Sequence, residues 1–180
     1  QLKANDIKVS YTDILVKFVS KALTEFPALN CSVDVNKIIY KHYVNMGVAV
    51  ALDNGLVVPN VPDADKKSLT EISSEVKELA ELARSGKLPM ERLHGGTFTI
   101  TNLGMYGIES FSPIINQPEV AILGVCAMQD KPVVVDGQIT VRTMMNMCLT
   151  ADHRVVDGAL AAQFLHRVKT LMENPALMLA

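Results

Sequence analysis

The feature that most constrains this 180-residue chain is a hydrophobic period that alternates between helix and strand along its length. Ser10-x-x-Asp13 offers a capping side chain to exposed amides, and Ile14, Leu15, Phe18, Val19, Ala22 and Leu23 follow at helical spacing until Pro27 stops the run. A second helix is predicted from Ser68-x-x-Glu71, with Leu69, Ile72, Val76, Leu79 and Leu82 on one face. Gly86 lies just past its end, where a left-handed cap costs glycine least. The last helix is predicted from about Ala159, with Leu160, Phe164, Leu165, Val168 and Leu171 as its stripe and Pro175 as its boundary. Each stripe is one-sided, so each helix needs an apolar surface to lie on.

The intervening segments supply that surface. Gly47 to Ala51 and Leu56 to Val58 flank the hairpin signal Asp53-Asn54-Gly55. Phe98 and Ile100 alternate with threonines in a half-buried strand pattern, and Val120 to Cys126 reads as a more deeply buried strand. Val133 to Val135 and Ile139 to Leu149 flank a second hairpin signal at Asp136-Gly137. The expected fold class is α/β, a two-layer sandwich of helices on a mixed sheet. The length suits one substantial core, no internal repeat is present, and a single domain over residues 1–180 is expected.

Composition narrows the function classes. A net charge of −2 argues against a nucleic-acid partner, which needs concentrated basic surface. No apolar run reaches membrane-spanning length, so no membrane partner is expected. Cys31, Cys126 and Cys148 have no short paired spacing, suit a reducing compartment and suggest neither a disulfide framework nor a metal site.

Chemistry concentrates in the stretch Leu149-Thr150-Ala151-Asp152-His153-Arg154-Val155-Val156-Asp157-Gly158-Ala159. A histidine carries a proton near neutral pH, and a turn between strand and helix presents it to a pocket, which makes His153 the general-base candidate. Taken alone, a single histidine is more often structural; His42, His94 and His166 default to surface or packing roles. Asp157 precedes the final helix, where an aspartate N-cap is the simplest reading. Asp152, His153 and Asp157 include metal-binding residue types, but no spaced second histidine or cysteine pair accompanies them, and no metal is expected. Thr101 is most simply a β-former in a Thr-rich strand. Gly104 and Gly107, after Asn102, suggest a loop that turns sharply or lets a ligand approach its backbone.

Three segments in order, Gly96 to Gly107, Pro113 to Gly124 and Leu149 to Ala159, resemble the E2 acyltransferases of 2-oxo acid dehydrogenase complexes. The likeness extends from about Val9 to the C-terminus. It implies a catalytic (inner-core) domain with the chloramphenicol acetyltransferase-like fold, lacking the family's first helix and strand as well as its lipoyl and subunit-binding domains. It implies His153 as base, Asp157 as an indirect support, Thr101 as oxyanion donor, and Asn102 and Gly104 as shapers of the substrate site. The substrates it implies are coenzyme A and a lipoyl group carried on a separate domain. The implied partners are two further copies of the chain in a homotrimer with active sites between subunits, a 24- or 60-subunit core in the intact protein, and the E1 and E3 components. A chloramphenicol-acetylating enzyme usually has histidine where this chain has Asp152. Leu103-Gly104-Met105-Tyr106-Gly107 looks more like acetyl-type members than succinyl-type ones, so acetyl is the expected acyl group. Branched-chain or succinyl specificity, or a non-catalytic scaffold, are the alternatives. The implied compartment is the bacterial cytoplasm, or the mitochondrial matrix in a eukaryote. The apolar tip Asn174 to Ala180 is expected to pack between trimers.

Overall fold

The computed structural model describes residues 9–179 of the chain. Helix α1 spans Tyr11–Glu25, α2 Leu69–Arg84 and α3 Gly158–Glu173. The capping boxes form as the sequence predicts. Asp13 N donates to Ser10 Oγ at 3.2 Å while Ser10 N donates back to the Asp13 carboxylate at 2.7 Å, and Ser68 with Glu71 repeats the arrangement at α2. Gly86 follows α2 with φ of 68°, as expected of a residue past a helix end.

Nine strands accompany the helices among the described residues: β1 Cys31–Asp34, β2 Lys37–Tyr40, β3 Met46–Val48, β4 Val50–Leu52, β5 Gly55–Val57, β6 Asn60–Val61, β7 Phe98–Asn102, β8 Ala121–Val135 and β9 Gln138–Ala151. Five of them make one mixed sheet in the order β6-β3-β7-β8-β9. β7 runs parallel to both β3 and β8, whereas β6 and β9 pair antiparallel at the edges. β1 with β2 and β4 with β5 form separate hairpins.

Three features depart from the sequence reading. The apolar run Gly47 to Ala51 is divided at Ala49: β3 stays in the main sheet, and Val50 turns away to pair with Val57. The strand around Phe98 is central and not half-buried, with Thr97 2% and Thr99 1% exposed. The two segments Val120 to Cys126 and Val133 to Val135 belong to one long strand, β8, which forms with β9 a hairpin closing at Asp136-Gly137. Beyond Cys126 that hairpin leaves the core, and its residues alternate between half-buried and exposed.

One hydrophobic core joins the helices to the sheet. Leu15, Val19 and Leu23 of α1 and Phe164, Val168 and Leu171 of α3 pack with Phe98, Ile100 and Leu123. The Phe164 ring lies 5.7 Å from both Phe98 and Phe26, centroid to centroid. Each such side chain contributes about 1.5–3 kcal/mol by leaving water, so β7 and β8 are firmly placed. After α3 a short 3₁₀ turn, Pro175–Leu179, packs Met178 against the core and leaves Leu177 37% exposed; Ala180 lies outside the described residues. Among the described residues no helix is long and apolar enough to cross a membrane.

Candidate active site

Strand alternation sorts the residues of β7. Phe98 and Ile100 point into the core, and Thr99 and Thr101 point to the opposite face. There Thr101 is half-buried and lines a cleft of about 350 Å³ with Thr99, Phe111, Ile115, Asn116 and Ile122. Gly124 of β8 lies directly beside Thr101 in the sheet. A methyl group on Gly124 would come within 2.7 Å of the Phe111 ring, so glycine there is what lets that ring lie on the strand.

The loop after β7 is fixed from within the chain. The Asn102 amide donates to Thr12 Oγ1 at 3.1 Å, and its oxygen accepts from Gly104 N at 2.8 Å. Asn102 thereby ties the end of β7 to the start of α1 and sets the course of the loop. Gly104 passes against β8 so closely that a Cβ would stand 2.7 Å from the Cys126 carbonyl oxygen. The following turn ends at Gly107 with φ of 75° and leaves Met105 and Tyr106 exposed.

His153 sits at the opposite end of the sheet. Asp152 N donates to Val120 O at 2.8 Å, extending the β8–β9 ladder by one residue. The Asp152 carbonyl then accepts from Val155 N and Val156 N, and its carboxylate accepts from Arg154 N at 3.0 Å. The Arg154 guanidinium grips the same carboxylate with two groups at 3.0 and 2.5 Å and holds it below the usual aspartate range. Val156, 2% exposed, anchors the far side in the core. The braced turn carries His153 exposed at its centre. Asp157 is the N-cap of α3, its Oδ1 accepting from Leu160 N at 2.8 Å.

Register gives the spacing of the two candidate groups. Thr101 pairs with Gly124, Gly124 with Cys148, and His153 lies five residues beyond Cys148. Two inter-strand steps and about five residues of rise place them roughly 15–20 Å apart. No residue of the 152–158 turn lines the Thr101 cleft. One chain thus brings together Thr101, Asn102 and Gly104, holds Asp157 beside the His153 turn, and leaves these two groups as separate halves.

Sequence reasoning did not single out Phe111 or Asn116, which lie in a stretch with no period, nor the Asp152–Arg154 clamp, which a charge pair two residues apart does signal. It also gave no hint that Cys126 and Cys148, 22 positions apart, meet on one face of the hairpin with sulfurs 3.9 Å apart. Burial and the neighbouring thiol push Cys126 up to about 11. Among the described residues no three His, Cys, Asp or Glu side chains gather as metal ligands. A wider cleft of about 560 Å³, lined by Met144, Met145, Met147, Leu165 and Met172, opens between β9 and α3 and includes neither Thr101 nor His153.

Residues 1–180 match the family described as 2-oxoacid dehydrogenases acyltransferase (catalytic domain). The dihydrolipoyllysine-residue succinyltransferase component of the 2-oxoglutarate dehydrogenase complex of Bartonella vinsonii subsp. berkhoffii is 50% identical over 173 residues, covering 96% of this chain and 42% of that protein. The dihydrolipoyllysine-residue acetyltransferase component of the pyruvate dehydrogenase complex of Rickettsia felis is 47% identical over 172 residues, with the same coverage of both. The chain therefore spans less than half the length of these relatives. The cubic core of a pyruvate dehydrogenase multienzyme complex superimposes with a TM-score of 0.94 at 40% identity, over 99% of this chain and 74% of that one. A chloramphenicol acetyltransferase shares the fold at a TM-score of 0.61 and 14% identity, over 94% of this chain and 79% of that one.

Proposed function

The chain belongs to the family of 2-oxoacid dehydrogenase acyltransferase catalytic domains, and from that premise we propose that it moves an acyl group between a dihydrolipoyl thioester and coenzyme A. The observation that carries this reading is the pair of half-sites: an exposed imidazole on a braced turn, and a hydroxyl in an apolar cleft. His153 takes the proton of the attacking thiol as its sulfur adds to the thioester carbon; the tetrahedral adduct then collapses, the old sulfur–carbon bond breaks, and the imidazolium returns its proton to the departing sulfur. The Thr101 hydroxyl donates to the oxyanion that develops between those events. Asn102 and Gly104 shape the loop beside Thr101, and Asp157 secures the helix behind His153.

Groups 15–20 Å apart on one chain do not meet on one thioester, so a complete site takes His153 from one subunit and Thr101 from another. A homotrimer supplies this arrangement. The outer β8–β9 hairpin supports it, since Val134, Ile139 and Val141 share one face and are 71%, 82% and 66% exposed. A 24- or 60-subunit core and contacts with E1, E3 and a lipoyl domain extend the same reading, and the likeness to a cubic core supports the first of these. Acetyl is the acyl group proposed here, and the lining of this half of the site, apolar apart from Thr99, Thr101 and Asn116, supports a small uncharged group.

Mixing subunits tests the reading directly. His153→Ala and Thr101→Val proteins, each inactive alone, should regain about a quarter of wild-type transfer when co-assembled, because random trimers pair an intact His153 with an intact Thr101 at about that frequency. No recovery in verified mixed trimers sinks the shared site. A panel of acyl-coenzyme A donors then decides acetyl against succinyl.

A further inference from the structure

Between the two half-sites lies a buried carboxyl group that neither of them uses. Glu119 is 5% exposed. It precedes Val120, whose carbonyl accepts the Asp152 amide, and with Asp152 and Arg154 it lines a cleft beside the His153 turn. On its other side Thr99 Oγ1 donates to Oε2 at 2.6 Å, and Asn116 Nδ2 donates to Oε1 at 3.3 Å. Thr99 and Asn116 are both walls of the Thr101 cleft.

What faces Oε1 decides its protonation. A methyl group on Gly96 would stand 2.5 Å from Glu119 Oε1 and 2.5 Å from Asn60 Oδ1, so both oxygens converge on one point. The Asn60 amide cannot be turned around: Nδ2 donates to the carbonyls of Arg92 and His94 at 3.2 and 3.3 Å, where an oxygen would meet two acceptors. Asn60 is itself 5% exposed, and its Oδ1 finds no donor among the described residues. An ionised Glu119 would set a buried negative charge against that carbonyl oxygen. Among the described residues no unpaired cation faces it. β6 brings Asn60, β7 brings Thr99, β1 meets it through the backbone at Ser32, and the segment before β7 brings Gly96 and the backbone of His94. The turn brings Asp152 and Arg154, which are paired with each other, and the Arg92 guanidinium is paired with Glu75. One proton on Oε1 removes the charge and places a donor on the side of the carboxyl that shares the space beside Gly96 with Asn60 Oδ1.

We propose that Glu119 is a neutral carboxylic acid in the folded chain, hydrogen-bonded toward Asn60, and that it is a positioning residue for acyl transfer. It holds Thr99 and Asn116 in place around Thr101 while its neighbour Val120 tethers the His153 turn. The positioning role rests on the acyltransfer reading; the protonation state does not. Burial supports it, lifting the Glu119 carboxyl to about 7 against the opposing hydrogen bonds from Thr99 and Asn116. The folded chain then keeps a proton that the unfolded chain has already lost. Stability from this group is complete below the ordinary glutamate value of 4.5 and is lost as pH rises to about 7, by up to about tenfold in the folded-to-unfolded ratio per pH unit.

The experiment compares wild type with Glu119→Gln, which cannot ionise, keeps a donor toward Asn60 and an acceptor for Thr99, and gives up only the longer contact from Asn116. Melting temperature and transfer rate are followed from about pH 5 to about pH 8. The expected result is a wild-type melting temperature that falls across this window and a Gln variant that stays flat, with the variant also keeping its transfer rate above about pH 7 where wild type declines. A Gln variant that follows the wild-type melting profile overturns the neutral acid. A flattened melting profile with an unchanged rate profile removes the positioning role alone. Flattened melting with no transfer by either protein leaves the acid standing and sinks the acyltransfer reading. Carbon-13 titration of labelled glutamate carboxyls in the wild-type chain needs no variant to fold. One resonance moving near neutrality supports the assignment, and ordinary values for all of them overturn it.

Discussion

Thr101 and His153 are held in place by opposite means. Thr101 belongs to β7, whose alternate residues Phe98 and Ile100 are buried in the core shared with the helices, so its position is fixed by the core of the whole domain. His153 rides on an exposed turn shaped within five residues, by the Asp152 carbonyl, the Asp152–Arg154 pair and the anchor at Val156. Perturbing the first half requires disturbing the sheet; perturbing the second requires only a local change. A donor that must meet a developing charge gains from the rigid setting, whereas a base that must take and return a proton gains from an exposed one.

The largest effect that sharpens this contrast belongs to the turn. His153→Ala should lower kcat by about 10²–10⁴-fold while melting temperature and assembly stay near wild type, because the exposed ring contributes to no core. Near-normal turnover in a correctly assembled variant removes His153 from the chemistry. On the sheet, Thr101→Ala should lower kcat by roughly 10²–10³-fold with less effect on KM, and Thr101→Ser should restore much of the rate. A fully active Thr101→Val would show that the hydroxyl does nothing.

Asp157→Ala tests support without contact. Loss of the bond to Leu160 N should cost about 1 kcal/mol of stability, read by denaturant unfolding, with a modest loss in kcat. A fall in kcat as deep as that of His153→Ala would give Asp157 a direct part in the reaction. The smallest effect is the acid dependence of the turn. Arg154 lowers the Asp152 carboxyl, so the ion pair stabilises the folded chain above the ordinary aspartate range and that contribution fades as pH falls through it. Because the Arg154 side chain is largely exposed, added salt should weaken the dependence, and an acid limb of the stability curve that ignores both salt and Asp152→Asn would count against the clamp.

Local rules made much of this molecule legible. The capping boxes at Ser10 and Ser68, the turn at Asp136-Gly137, the apolar stripes of all three helices and the N-cap at Asp157 depend on residues a few positions apart, and each forms as its sequence demands. The three segments that carry the family resemblance likewise lie within single stretches of chain. What the sequence left hidden required partners distant in it. Phe111 finds its place only because Gly124 leaves room, Asn102 is fixed by Thr12 of a helix 90 positions earlier, and Glu119 is buried by Thr99 and Asn60 from two other strands. The separation of Thr101 from His153 is likewise a property of sheet order, which places β8 between their strands. Hydrogen bonding within a turn is set by neighbours in the chain, whereas burial, cleft shape and the protonation of an enclosed acid depend on which strands the core brings side by side.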